Sequence, residues 1–355
     1  MTIKLKAGVI YFLRERELSG EGYTPYCKIG LVAGDRTTEQ RIKEHQTGNP
    51  RLIEELGSVE TNAVTTLETH LHDNYATHRV SGEWFRLQED EFDAAIAYAQ
   101  KVSTKILDEE KSVTAADGLK LKLSTLPERQ ATDDELAWHA TLVGTQKNLM
   151  ELELENALVE LKLKQLMGSS SGITGLVDVT FVEPKMELDK TALEDAHPEL
   201  YAQYLDAQAE KVGGSFSVVS KAGKRDLTES LVQEVDGLKK MVATLVPDEA
   251  AGPLASVPDE AVQWYGQFLG RKSEIAQLVL EVDMLEARLR AACGEHEGIA
   301  GVCKWERKLK AQKPKFDSAR FADEHPGLLP QYQKEEVSSP RISLRPYRTA
   351  REAGD

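Results

Sequence analysis

Trp138 and Trp264 stand 126 residues apart. The same interval separates Gly144 from Gly270, Glu155 from Glu281, Gly168 from Gly294, Gly172 from Gly298 and Gly175 from Gly301. After a two-residue slip, Asp189, His197, Pro198, Gln203 and Tyr204 fall on Asp317, His325, Pro326, Gln331 and Tyr332. LDKTALEDAHPELYAQY thus runs beside FDSARFADEHPGLLPQY, the mark of a duplicated unit. Each copy opens with a Leu-rich stretch whose apolar residues recur at spacings of three and four. Such a helix packs as one arm of a hairpin or coiled coil, and its stripe is a candidate homodimer seam. A Gly-rich turn, a short strand and a small capped helix ending at His-Pro follow, with His197 and His325 read as structural caps.

The rest of the chain divides around these copies. Residues 1–107 form an α/β unit and 108–130 a charged linker. The first repeat is 131–206, 207–256 a connector with one helix, 257–346 the second repeat with a basic tail, and 347–355 a disordered C-terminus. The fold class expected is α+β, with a short three-stranded antiparallel sheet and flanking helices followed by two mostly helical repeats with short strands. Hydrophobic residues make up 41% and charged residues 29%, a globular balance. No apolar run reaches the roughly 18 residues of a membrane span. MTIKLKAGVIYFL has no small-residue cleavage site after it, so no signal peptide is read. Three scattered cysteines (Cys27, Cys293, Cys303) make neither a disulfide framework nor a zinc site, and a reducing cytoplasm is the expected compartment.

Within the first hundred residues, GVIYFLR and YCKIGLV have the β-branched and aromatic bias of strands. Asp35 or Thr37 caps a helix from about Thr38 to Gln46, which Gly48 and Pro50 end. NAVTTLETHLHDNYATH places Leu67, Leu71 and Tyr75 at helical spacing. SGEWFRLQ reads as a turn and an edge strand. Tyr11 and Lys28 lie on the two strands, Arg41 and His45 one turn apart on the first helix, Glu68 and His72 one turn apart on the second. This inventory suits phosphodiester hydrolysis. A carboxylate can hold a divalent cation that polarises phosphate, Arg offsets developing charge, and Tyr or His near Lys can activate water. His70, His72 and His78 lack the partners that four zinc ligands at standard spacing require.

At these residues the sequence resembles the GIY-YIG endonuclease superfamily. VIY (Val9–Tyr11) stands at the first signature and KIG (Lys28–Gly30) at the second, followed in order by RIKEHQTGNP, LETHLH and GEWFRL. Lys at the second signature, with HQTGNP and GEWF, is similar to the phage-type branch that includes meiotically up-regulated homologues. The resemblance covers residues 7–100. It implies that Glu68 is the ligand of Mg²⁺ (or Mn²⁺), that Tyr11 is the general base or positions the nucleophile, and that Lys28 tunes it. It also implies that Arg41 binds the scissile phosphate and that His45 assists. The insert between the signatures is longer than the pattern, and the late asparagine of many relatives has no clear counterpart, Asn74 being poorly placed. The tails of both repeats are similar to the C-terminal tail of YqaJ-type viral recombinase exonucleases, without that family's catalytic core.

The copies differ in charge. Residues 178–206 hold eight acidic and two basic side chains, whereas residues 304–351 hold twelve basic and six acidic ones. Lys304, Arg307, Lys308, Lys310, Lys313 and Lys315 are therefore the expected contacts to DNA, although the net charge of −15 excludes general coating of nucleic acid. The function expected is a metal-dependent DNA endonuclease with accessory helical modules. The alternatives are a catalytically silent DNA-binding protein and an adaptor built on the coiled helices, in a phage or phage-defence context.

Overall fold

The computed structural model describes residues 3–336 and 339–345; the expected disordered stretch 347–355 lies outside the described residues. Side chains alternate along a strand, and this explains the N-terminal architecture. In β1 (Gly8–Arg16), Ile10 and Phe12 point one way and Val9, Tyr11 and Leu13 the other. β1 lies between β2 (Tyr23–Ala33) and, after helix α1 (Thr38–Gln46), β3 (Ile53–Thr61), antiparallel to both. Helix α2 (Val64–Asn74) leads to a hairpin of β4 (Arg79–Ser81) and β5 (Trp84–Arg86), then to α3 (Glu89–Asp108). The hairpin adds to β2, so the three long strands become a five-stranded sheet of order β3-β1-β2-β5-β4.

The two faces of this sheet differ in weight. Leu67 and Leu71 of α2 and Phe92, Ala95 and Ala99 of α3 join Ile10, Phe12, Ile29 and Phe85 in the main core. A large apolar side chain is worth about 1.5–3 kcal/mol when buried, so this face dominates the stability. The other face carries a smaller cluster of Tyr11, Leu13, Val32 and Ile53, with Val9, Ile42 of α1 and Trp84 against it. Helix α1 has no buried residue and is fixed mainly at its ends. Thr37 Oγ1 accepts from the Gln40 amide at 3.3 Å, and Gln40 Oε1 accepts from the Thr37 amide at 3.1 Å, a capping box. At the far end Gln46 donates to the carbonyls of Asn49 and Arg51 and accepts from the Ile53 amide, clasping α1 to β3.

Residues 108–130 are not a free linker, contrary to expectation. After Glu109, α4 (Glu110–Leu119) continues the path of α3. The next elements are α5 (Asp133–Met167), β6 (Gly172–Ile173), β7 (Val177–Thr180), β8 (Lys185–Leu188), α6 (Lys190–Ala196), α7 (Pro198–Gln203) and β9 (Leu205–Asp206). The connector holds β10 (Lys211–Gly213), β11 (Ser217–Val218) and α8 (Glu229–Val242). The second half has α9 (Asp259–Cys293), β12 (Gly298–Ile299), β13 (Cys303–Lys304), β14 (Lys308–Lys310), β15 (Lys315–Phe316), α10 (Ser318–Glu324), β16 (Gln333–Glu336) and β17 (Arg341–Leu344).

The 126-residue interval recurs in the backbone. α5 and α9 each span 35 residues and end on Gly168 and Gly294 at φ 59° and 55°, where glycine is favoured. The β6–β7 register sets Ile173 opposite Val177, and the β12–β13 register sets Ile299 opposite Cys303. Other strands cross between the halves. β7 pairs with β17 (Val177 opposite Leu344) and β13 with β11 (Cys303 opposite Val218). β8 pairs with β16 (Leu188 opposite Gln333) and β15 with β9 (Phe316 opposite Leu205). His139 Nε2 bonds the Val219 carbonyl and Tyr265 Oη the Arg345 carbonyl, both at 2.7 Å and again 126 apart. Each half thus completes its sheets with strands of the other.

α5 packs along α9 within the chain, α4 lies on α9 and α8 lies on α5. Leu154, Leu158 and Leu161 of α5 meet Leu231, Val235 and Leu238 of α8. The Leu-rich stripes expected to form a homodimer seam are therefore filled from within one chain. The N-terminal unit is mounted on α9: Glu109 chelates Arg288, Asp73 pairs with Lys272 at 3.0 Å, and Asn74 accepts from Ser273 at 2.8 Å. Asn74 is a docking residue.

Candidate active site

Strand pairing places two of the expected site residues on the thinner face of the sheet. Tyr11 is opposite Gly30 and Leu13 opposite Lys28, so Tyr11 and Lys28 share that face. A Cβ at Gly30 would stand 2.8 Å from Tyr11 Cε2 and closer still to Oη. Only glycine lets the phenol lie flat across β2. Tyr11 is fully buried, its Oη 3.5 Å from His45 Nε2 and beside the Arg41 guanidinium. Burial raises the Tyr11 pKa above its ordinary value, against the pull of Arg41.

Arg41 and His45 come from one face of α1. The Arg41 η1 nitrogen donates to Glu44 at 2.6 Å, while its Nε is buried with no hydrogen-bond partner among the described residues. A buried unpartnered donor on a cation is costly, and here it belongs to the residue expected to meet phosphate. Burial, then the charges of Lys28 and Arg41, lower the His45 pKa. His45 is therefore neutral near pH 7 and can accept a proton.

Glu68 sits on α2, whose orientation against β2 is fixed by His72 Nε2 bonding the Ile29 carbonyl at 2.9 Å. Burial, and next the Glu83 charge, push the Glu68 pKa up to about 7, with Lys28, Arg79 and Arg41 pulling the other way. Glu83 is the residue that sequence reasoning missed, although it stands in the quoted GEWF. It occupies the β4–β5 turn, accepts the Ile29 amide on its carbonyl at 3.1 Å, and pairs through its carboxylate with Lys28 Nζ. Burial works against its charge, but the Lys28 hydrogen bond and charge win and its pKa is lowered. Lys28 itself is only 5% exposed.

Residues 8–99 match the family model of the T5orf172 domain. This phage-associated, nuclease-related family covers the sheet, α1, α2 and about half of α3. No curated protein and no solved structure matches the chain.

Among the described residues no three His, Cys, Asp or Glu side chains gather as a ready metal cage. Mg²⁺ commonly takes one or two carboxylates and fills its remaining positions with water and substrate phosphate. The half-buried Glu68, as the one carboxylate, fits that donor set and not a four-ligand zinc site.

The basic residues of the second repeat do not act together. Arg307 is corrected: it is 1% exposed, its guanidinium stacks on Trp305 at 4.4 Å, and it donates to Ser124 Oγ and the Gly294 carbonyl. It ties α4's exit to the end of α9 and has no face for DNA. Lys304, Lys308, Lys310, Lys313 and Lys315 are exposed. Lys304 faces Glu128 at 3.5 Å and Lys308 faces Glu306 at 2.7 Å, while Lys310 lies opposite Lys211 across the β10–β14 ribbon. Like charges directly opposite weaken a strand pair, so this ribbon's composition does not serve its own stability. No helix among the described residues is long and apolar enough to cross a membrane.

Proposed function

We propose that the N-terminal domain is a GIY-YIG-type DNA endonuclease that hydrolyses phosphodiester bonds with Mg²⁺ or Mn²⁺ held at Glu68. The observation that carries this reading is the unpartnered Nε of Arg41, a buried donor set beside Tyr11 and His45. A non-bridging phosphate oxygen completes it. Neutral His45 takes the proton of the attacking water, directly or through the Tyr11 phenol to which it lies close. The new P–O bond forms as the ester P–O bond breaks, and the leaving oxygen collects a proton from solvent. Arg41 offsets the charge that builds on the phosphoryl oxygens. A bound divalent ion supplies polarisation of the phosphate and relief of the leaving group's charge. The helical body carries the domain on DNA, with the β10–β14 ribbon and Lys313 and Lys315 as phosphate contacts.

Two observations favour a second reading, a domain that holds DNA without cutting it: Tyr11 is wholly buried and the Lys28 ammonium is engaged by Glu83. Supercoiled plasmid with Mg²⁺ separates the two. Under the first reading the wild type nicks or linearises it and Glu68→Ala does not, while both shift DNA in a gel. Equal absence of cutting with retained shifts gives the second. Loss of both activities leaves an adaptor.

A further inference from the structure

We propose that Glu83 is a positioning residue of the cleft, acting through Lys28, whose ammonium it holds on the sheet face that carries Tyr11. This rests on the endonuclease reading above.

Lys28 occupies a position where a lysine is costly. It lies in the middle of β2 on the face that packs Tyr11, Leu13, Val32, Ile42 and Trp84, and it is 5% exposed. Burying an ammonium is strongly unfavourable before any partner is counted, and a buried ion pair seldom does better than apolar side chains of the same size. An apolar residue at position 28 would serve the fold better. The chain keeps Lys28 and provides one carboxylate to satisfy it, that of Glu83.

The backbone delivers that carboxylate without help from the side chain. Trp84 pairs with Lys28 in register, and the Glu83 carbonyl accepts the Ile29 amide at 3.1 Å. The turn carries Gly82 at φ 52°, a conformation suited to glycine. Hairpin β4–β5 has only three residues in each strand and adds little core of its own. Its position sets an anion above Lys28.

The consequences fall on the reacting groups. Paired with Glu83, the Lys28 ammonium stays fixed on the sheet face that carries Tyr11. Without Glu83 the ammonium can swing toward Glu68 and occupy the carboxylate meant for the metal. Glu83 therefore governs the chemical step and not the grip on DNA.

The test compares Glu83→Gln and Glu83→Asp with the wild type in single-turnover cleavage of duplex DNA with Mg²⁺. Thermal melting and DNA affinity are measured alongside. The expected result is a fall of about 10–100-fold in the cleavage rate for Glu83→Gln at unchanged DNA affinity, with partial recovery in Glu83→Asp. In ¹⁵N-lysine-labelled protein, the protected Lys28 ammonium signal disappears in Glu83→Gln. A Glu83→Gln protein that cleaves at the wild-type rate, or that keeps the Lys28 signal, overturns the proposal. So does one that loses rate only in proportion to lost folded protein. A wild type that cleaves nothing with either metal overturns the endonuclease reading first, and this proposal with it.

Discussion

The Tyr11 phenol lies across the bare Cα of Gly30, its cross-strand partner, with no room between them for a methyl group. The glycine at position 30 is thus explained by packing against Tyr11. Gly30→Ala must push the ring toward His45 and Arg41. Overpacking of this kind costs about 1–3 kcal/mol, and the expected outcome is a lower melting temperature with cleavage lost even where the protein stays folded. Calorimetry beside the plasmid assay checks both parts.

Glu68 is held in the cleft to the detriment of the fold. Its pKa is about 7, against an ordinary 4.5, because burial and Glu83 disfavour its charge. A carboxyl raised in the folded state costs stability at high pH, and the cost disappears as pH falls through 7 toward 4.5. Glu68→Gln is therefore expected to stabilise the protein at pH 8 by on the order of 1 kcal/mol, discounted for partial solvent access. The gain vanishes near pH 4.5, the ordinary value. Denaturant unfolding at the two pH values measures it, and a stabilisation that grows at low pH would contradict the assignment.

Arg307 and the neighbouring lysines should behave as different kinds of residue. Arg307→Ala removes a stacked, buried cation and leaves buried acceptors unmet, a loss on the order of 2–3 kcal/mol. Lys308→Ala and Lys310→Ala should leave stability within about 0.5 kcal/mol. They should instead weaken DNA binding and reduce the slope of log affinity against log salt by about one for each phosphate no longer neutralised. An unchanged slope removes the ribbon from the DNA surface.

The reciprocal pairing of β7 with β17 and β13 with β11 makes each half of the helical body depend on the other. Fragments 1–222 and 223–355, expressed together, are expected to co-purify as a one-to-one complex, and fragment 223–355 alone to be insoluble or largely unfolded. Independent folding of fragment 223–355, read by circular dichroism, would rule out strand exchange as the organising contact.

What is legible in the sequence follows from the range of the interactions involved. Helix α1, with its Thr37 cap and its span of residues 38–46, can be read directly because capping and Gly/Pro stops are local chemistry. That Tyr11, Lys28, Arg41, His45 and Glu68 stand near one another can be read because motif order reports which strands and helices meet. Glu83 escapes such a reading because its place beside Lys28 depends on a short hairpin adding to β2, a pairing that three-residue strands do not announce. Arg307 misleads because charge counting cannot distinguish a buried guanidinium on Trp305 from a solvated one. Helix α4 looks like linker because its burial comes from α9, far along the chain. The duplicated stretches are visible as spacing, while the exchange of strands between them is not, since identity at an interval says nothing about which copy pairs with which.

The endonuclease reading is decided most sharply by the rate of Mg²⁺-dependent strand cleavage in wild type and Glu68→Ala, at DNA concentrations where both are fully bound. Cleavage by the wild type should be measurable and rise with Mg²⁺, and it should fall at least about 100-fold in the variant, as removal of a metal's anchoring carboxylate entails. Cleavage that persists in Glu68→Ala, or is absent from a DNA-bound wild type with both Mg²⁺ and Mn²⁺, would be incompatible with a metal-dependent nuclease centred on Glu68.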